Sequence, residues 1–245
     1  MAPASIAPDD VVRSAGQGPG SAREPLLVIE PLLGFLDAHG LGEGEPEIAP
    51  IGDGHSNVTY RVRRGEADLV IRRPPRGPLP PSAHDVLREA RVLREARVLR
   101  ALEGRAPVPR VLAICEDAGL IGAPFYVMER VDGKVVNDTV PGALDTEAER
   151  RRMGEELVDA LVTLHDADWR TAGLECFGRP EGYLERQLRR FGALWERNRT
   201  RDLPAVERVG RWLGEHLPQS PPATIVHGDY RLGNVMYAAS RPATR

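Results

Sequence analysis

The period of the apolar residues changes once along this chain, and that change limits its fold more than any other feature. Stretches that read as strands precede Val131: Asn57–Arg63 and Leu69–Arg73, joined by a turn around Gly65, then Val108–Glu116 and Pro124–Arg130. Beyond a break at Gly133 the pattern becomes helical. Thr146 with Glu149 is a cap signal, and Met153, Leu157, Leu161 and Leu164 then recur on one helix face. Gly182–Arg197 and Pro204–Leu217 read as two further helices, and Thr224–His227 as a short apolar strand. Two more helices fall in the first part, over Leu26–Ala38 and from Ser82 to about Glu103, with turn-rich residues 40–50 after the first. Five prolines among residues 74–81 make a stiff, extended connector. A strand-bearing part followed by a helical part is an α+β organisation.

Composition narrows the chemistry. The 245 residues carry 33 basic and 36 acidic side chains, a net charge of −3, which gives no global reason to bind nucleic acid or an anionic membrane. Lys134 is the only lysine, so Schiff-base and P-loop lysine chemistry has one position available and every other cation is an arginine. Cys115 and Cys176 lie too far apart for a C-x-x-C motif, which argues against a disulfide framework or a cysteine-rich zinc site. Residues 1–25, rich in Ala, Pro, Gly and Ser, lack the apolar stretch of a signal peptide and are expected to be a disordered leader. No apolar run approaches the roughly 18 residues of a membrane span, so a cytoplasmic location is expected.

One local feature is unusual. Residues 88–93 read Arg-Glu-Ala-Arg-Val-Leu, and residues 94–99 repeat the same six letters. Six helical residues advance the chain by about 9 Å and turn it by roughly 240° beyond a full circle, so the copies do not share a face. The doublet reads as a small tandem insertion into a helix.

The richest chemistry lies near the end, in Ile225-Val226-His227-Gly228-Asp229-Tyr230-Arg231-Leu232-Gly233-Asn234. An apolar segment delivers a loop with a His, an Asp two residues on, and an Asn five residues after the Asp. Phosphoryl transfer uses these types. A carboxylate orients an attacking hydroxyl and takes its proton, while an amide oxygen holds a magnesium ion that bridges phosphates. A polar loop capped by its own Asp and Asn would share the letters, and the complete H-x-D-x-x-x-x-N pattern favours the catalytic reading. His227 is expected to hold the loop by hydrogen bonds, and His165 to be a core histidine. Upstream, Gly52-Asp53-Gly54-His55-Ser56-Asn57 is rich in small residues that let backbone N–H groups approach phosphates. It is not a Rossmann fingerprint, because Asn57 stands where the third Gly belongs.

These stretches, with Ile71-Arg72-Arg73-Pro74-Pro75, Pro81-Ser82-Ala83-His84-Asp85-Val86 and Gly122-Ala123-Pro124-Phe125-Tyr126-Val127-Met128-Glu129, resemble the aminoglycoside phosphotransferase and choline kinase-like family, relatives of the protein kinases. Within it the chain is most similar to the kinase-like domains associated with acyl-CoA dehydrogenases, over roughly residues 26–245. The resemblance implies a two-lobed protein-kinase-like fold with a strand-containing N-lobe over 26–131 and a helical C-lobe over 132–245. It implies an ATP- and magnesium-dependent phosphotransferase acting on a hydroxyl of a small molecule, such as a hydroxyacyl or aminoglycoside-like compound.

By the same resemblance, Gly52, Gly54, Ser56 and Asn57 belong to the nucleotide loop. Arg72, or failing it Arg73, grips phosphates, since strand alternation lets only one of them face the cleft. A Glu on the next helix pairs with that arginine. Counting from Ser82 selects Glu89 and counting back from Pro107 selects Glu95; Glu89 is taken. Met128 lines the adenine pocket, and backbone groups from Glu129 to Val131 meet the adenine edge. Asp229 is the catalytic carboxylate, Arg231 contacts phosphate, and Asn234 holds the metal.

The family pattern continues into a strand with a second magnesium-binding Asp and then helices. No Asp follows Asn234 before Arg245, so the C-lobe is expected to be incomplete and the chain a weak catalyst of marginal stability. The alternative is a non-catalytic kinase-like protein that binds nucleotide or a protein partner.

Overall fold

A computed structural model describes residues 10–14, 25–51, 57–75 and 84–238, with the backbone alone for 84–90. Val11–Val12 (β1) pairs in parallel with Leu27–Val28 (β2), which runs directly into the helix Ile29–Ala38 (α1). The expected leader therefore has an ordered piece: Leu26 and Glu30 donate their backbone N–H groups to the carbonyls of Asp10 and Arg13. The expected helix also begins later, because Leu27 and Val28 bond laterally to β1 first.

Glu47–Pro50 (β3), Val58–Arg64 (β4), Ala67–Arg73 (β5), Val111–Cys115 (β6) and Phe125–Glu129 (β7) form one antiparallel sheet in the order β3-β4-β5-β7-β6. The alternation that predicts strands also divides the faces. Tyr60, Val62, Leu69, Ile71, Phe125 and Val127 point to one side and pack with Leu27, Leu32 and Leu36. On the other side lies the helix His84–Leu102 (α2), whose Val92 and Ala96 pack on Val111 and Tyr126. Strand β3 falls within the stretch read as turns; its exposed, mixed residues carry no alternating signal, and the ladder to β4 supplies its order.

After the sheet, Lys134–Val135 (β8) pairs with Met236–Tyr237 (β9), two short strands that their sequences do not announce. Between them in the chain lie the helices Glu147–Asp166 (α3), Tyr183–Asn198 (α4) and Pro204–Glu215 (α5). The hydroxyl of Thr146 caps α3 by accepting the Glu149 N–H at 3.2 Å. Met153 is buried with Val136, Leu144 and Tyr237, while Leu157 and Leu161 are half-buried. His165, expected in a core, is exposed at the end of α3.

Residues up to Thr163 together with those from Gly228 form one compact unit, and Leu164–His227 form a second. In the second unit, residues 224–227 are not the expected strand. Among the described residues they have no ladder partner, and Val226 is 64% exposed. Side chains tether this segment instead: the Trp169 indole donates to the Ala223 carbonyl at 2.9 Å, and the Thr224 hydroxyl donates to the His165 carbonyl. A wholly antiparallel five-stranded sheet followed by helices is the α+β organisation expected from the sequence.

Candidate active site

One candidate cluster is built by strand pairing. Arg72 on β5 lies directly across from Tyr126 on β7, so both side chains leave the sheet on the face that carries α2. Arg73 points the opposite way into the buried layer, where its guanidinium serves the carbonyls of Pro74, Leu26 and Ile121. Alternation thus separates the two arginines. Arg73 is a buried tether, and Arg72, about a third exposed, is the one with an accessible cation.

Among the described residues, the acidic partner of Arg72 is Glu95. Arg72 Nη1 lies 2.8 Å from Glu95 Oε1. The Tyr126 hydroxyl donates to the same oxygen at 3.0 Å, and the Asn57 amide donates to Oε2 at 3.0 Å. The choice between the two repeats is set by packing from the C-terminal end of α2. Val92, Ala96 and Leu102 are all buried, which fixes the helix rotation that turns Glu95 toward the sheet. The Glu89 side chain lies outside the described residues, as do Gly52, Gly54 and Ser56 of the expected nucleotide loop. Burial pushes the Tyr126 phenol up, and the nearby Glu95 carboxylate raises it further. Tyr126 therefore remains a neutral donor. Arg72 Nε is buried with no hydrogen-bond partner among the described residues, an orphaned donor beside the cation.

The expected adenine edge is partly committed. Met128 packs into the α2 layer with Val92, Ala96 and Tyr126. The Glu129 N–H donates to the Arg110 carbonyl at 3.0 Å, and its carboxylate accepts the Arg110 N–H at 2.9 Å. Glu129 thus closes the β6–β7 end of the sheet, and of the two edge residues named from sequence only Val131 stands exposed.

A second cluster is one tight loop. Gly228 has φ +83°, a left-handed conformation that glycine adopts without a Cβ penalty. Leu232–Asn234 then form a single 3₁₀ turn. That turn brings Asn234 back onto Asp229: its amide nitrogen lies 2.7 Å from the Asp229 backbone carbonyl oxygen and 2.9 Å from Oδ2. With its donor group spent on Asp229, the side-chain oxygen of Asn234 is the group left for a cation. Arg231 Nε lies 3.7 Å from Asp229 Oδ1, both side chains well exposed. The loop is anchored from below, since the Tyr230 hydroxyl donates to the Leu157 carbonyl at 2.7 Å and the Tyr237 hydroxyl to the Met153 carbonyl at 3.2 Å.

The structure brings Asp229, Arg231 and Asn234 together in one loop, and Asn57, Arg72 and Glu95 in one cluster. Tyr126 is the member that sequence reasoning missed. Its signal is present in the Phe-Tyr-Val-Met-Glu strand: alternation places residues 126 and 128 on the helix side, and a buried tyrosine there needs a partner for its hydroxyl.

Known proteins resemble this chain over most of its length. The profile of the phosphotransferase enzyme family (APH) matches residues 47–243. Mouse acyl-CoA dehydrogenase family member 10 is 36% identical over 208 residues, which are 84% of this chain and 18% of that protein. Human acyl-CoA dehydrogenase family member 11 is 33% identical over 214 residues, 84% of this chain and 26% of that protein. The chain therefore spans under a third of the length of these curated relatives. Among solved structures, a Ralstonia eutropha JMP134 protein provisionally named an aminoglycoside phosphotransferase is 32% identical. It superimposes with a TM-score of 0.71 over 85% of this chain and 60% of its own. The match over most of the sequence places this chain in the phosphotransferase enzyme family, a lineage of small-molecule kinases.

Proposed function

We propose that the protein transfers the γ-phosphoryl group of ATP to a hydroxyl of a small molecule, with magnesium. The observation that carries this reading is the Asp229–Asn234 pair. One turn of loop presents a carboxylate held by the Asn234 amide nitrogen, which leaves the amide oxygen as a hard cation ligand. The donor set suits the phosphate end of a nucleotide as well: Arg72 is a permanent cation, partly exposed, steadied by Glu95, with an orphaned Nε.

In the reaction, the Asp229 carboxylate orients the acceptor hydroxyl. It takes that proton as the new oxygen–phosphorus bond forms and the bond to the ADP oxygen breaks. Arg72 holds phosphate oxygens in line, and Arg231 stands close enough to the same loop to neutralise transferring charge. Magnesium, when bound, supplies further neutralisation between the phosphates, and Asn234 is the residue that would hold it. The names of the relatives, acyl-CoA dehydrogenase family members, favour a hydroxyacyl acceptor over a sugar.

The test is ATP turnover against a panel of hydroxyacyl and aminoglycoside acceptors, with Asp229→Asn as the probe. The variant is expected to lose at least about a hundredfold in transfer, the scale of a positioned proton acceptor, while ATP affinity changes little. Undiminished transfer in Asp229→Asn would remove Asp229 from the mechanism.

A further inference from the structure

The Glu95 carboxylate is a junction of three elements. It receives Arg72 from β5 at 2.8 Å, the Tyr126 hydroxyl from β7 at 3.0 Å, and the Asn57 amide from the start of β4 at 3.0 Å. An ion pair between side chains each a third exposed is a weak constraint by itself, because solvent screens it and both side chains keep rotational freedom. The two neutral donors differ in kind. Tyr126 is fully buried and held by β-ladder pairing and by packing on Val92 and Ala96, so its hydroxyl is a fixed point in the fold. Asn57 is the residue from which β4 departs, so its bond ties that strand's entry to α2.

We propose that Tyr126 and Asn57 are positioning residues that lock the Glu95 carboxylate in the orientation presenting Arg72 to the phosphates of the nucleotide. The inference rests on the ATP reading above and gives Tyr126, together with Asn57 of the expected nucleotide loop, a role exerted through Glu95. Tyr126 is suited to the task because it donates without adding charge, leaving the carboxylate's negative charge for Arg72. Its phenol is held protonated by burial and by Glu95.

The experiment measures equilibrium binding of two probes, ATP with magnesium chloride and adenosine alone. The proteins are the intact chain and its Tyr126→Phe, Asn57→Ala, Glu95→Gln and Tyr126→Phe/Glu95→Gln variants. Phenylalanine keeps the ring packing, so the fold is expected to survive. The ratio of ATP to adenosine affinity is expected to fall about fivefold in Tyr126→Phe, the scale of one hydrogen bond, with adenosine affinity unchanged, and to fall less in Asn57→Ala. A purely structural role would move both probes together. If Tyr126 acts through Glu95, the double variant is no worse than Glu95→Gln alone.

A ligand-free readout separates this idea from the ATP reading. The Arg72 Nε–H resonance, assigned by its absence in Arg72→Gln, is expected to exchange with solvent several times faster in Tyr126→Phe. Unchanged exchange and an unchanged ATP-to-adenosine ratio overturn the lock. Faster exchange in a protein that binds neither probe supports the lock and sinks the nucleotide reading.

Discussion

Helix α2 and the helix pair α4 and α5 invert the usual expectation about amphipathic helices. The apolar residues of α2 are spread around its axis by the six-residue repeat, yet Val92, Ala96 and Leu102 are buried. By contrast α4 and α5 separate apolar from charged residues into clear faces, and neither buries a single residue. Phe191 is 63% exposed and Trp212 56%. A helix face is buried when something is packed on it. For α2 that is the face of a five-stranded sheet, with Tyr126 and Val111 in the contact. For α4 and α5 the described residues offer mainly each other, and two helices in contact along one line leave most of both surfaces wet. Amphipathicity reports a capacity for burial, and the partner decides how much is realised.

The contrast can be broken most severely from the sheet side. Phe125→Ala removes a fully buried ring from the layer beneath the sheet and is expected to cost about 3–5 kcal/mol. Trp212→Ala, on an exposed face, is expected to cost under about 1 kcal/mol. Urea unfolding of both variants gives the comparison directly, and equal losses would show that the α5 face is covered in solution.

Arg73→Leu comes next. It strips a buried guanidinium from the carbonyls of Leu26, Pro74 and Ile121 and is expected to cost about 1–3 kcal/mol. The loss should appear first as faster hydrogen exchange in the β1–β2 pair, whose neighbour Leu26 it holds. Exchange confined to other elements would mean that the tether does not secure this end of the sheet.

Deletion of residues 88–93 sharpens the comparison from the helix side. Each α2 residue packed on the sheet has a copy six positions earlier in the sequence. Removing one repeat puts Val86 three residues before Glu95, where Val92 now stands, and leaves Ala96, Leu99 and Leu102 in place. The midpoint of thermal unfolding is expected to stay within about 4 °C of the parent, roughly 1 kcal/mol for a chain of this size. A collapse would mean that the length of the helix, and not the packed set, is what the fold requires.

The smallest expected effect is electrostatic and compares the two compact units. In the sheet, the Arg61 guanidinium donates two hydrogen bonds to Asp68, at 2.8 and 2.6 Å, and holds its carboxyl below the usual range. In the second unit, the backbone N–H groups of Arg170 and Thr171 do the same for Asp168. A depressed carboxylate contributes stability above its unfolded value, about pH 4, and loses it as the pH falls through the lower folded value. Both units should therefore lose stability below about pH 4. Asp68→Asn and Asp168→Asn should each make that acid decline shallower in their own unit. A decline unchanged in both variants would assign the acid sensitivity to other carboxylates.

The sequence by itself determined the local elements and the chemical inventory. Alternation located β4, β5, β6 and β7 to within a few residues, cap and period located α2 to α5, and the loop from His227 to Asn234 announced its Asp and Asn by spacing alone. It also determined that Lys134 is the one lysine, so a cation offered by β5 has to be an arginine. Tertiary structure decided what local pattern leaves degenerate. Glu89 and Glu95 have identical neighbours along the chain, so local pattern cannot choose between them, and it is the packing of α2 on the sheet that brings Glu95 to Arg72. Residues 224–227 have strand-like letters but no ladder, while Val11–Val12 and Met236–Tyr237 are too short to signal a strand and acquire one from a distant partner. Tyr126 reads as one more core aromatic until Glu95 and Arg72 are placed beside its hydroxyl. The reason is the same in each case: a hydrogen bond or a buried contact between segments far apart in sequence has an energy that neither segment encodes alone.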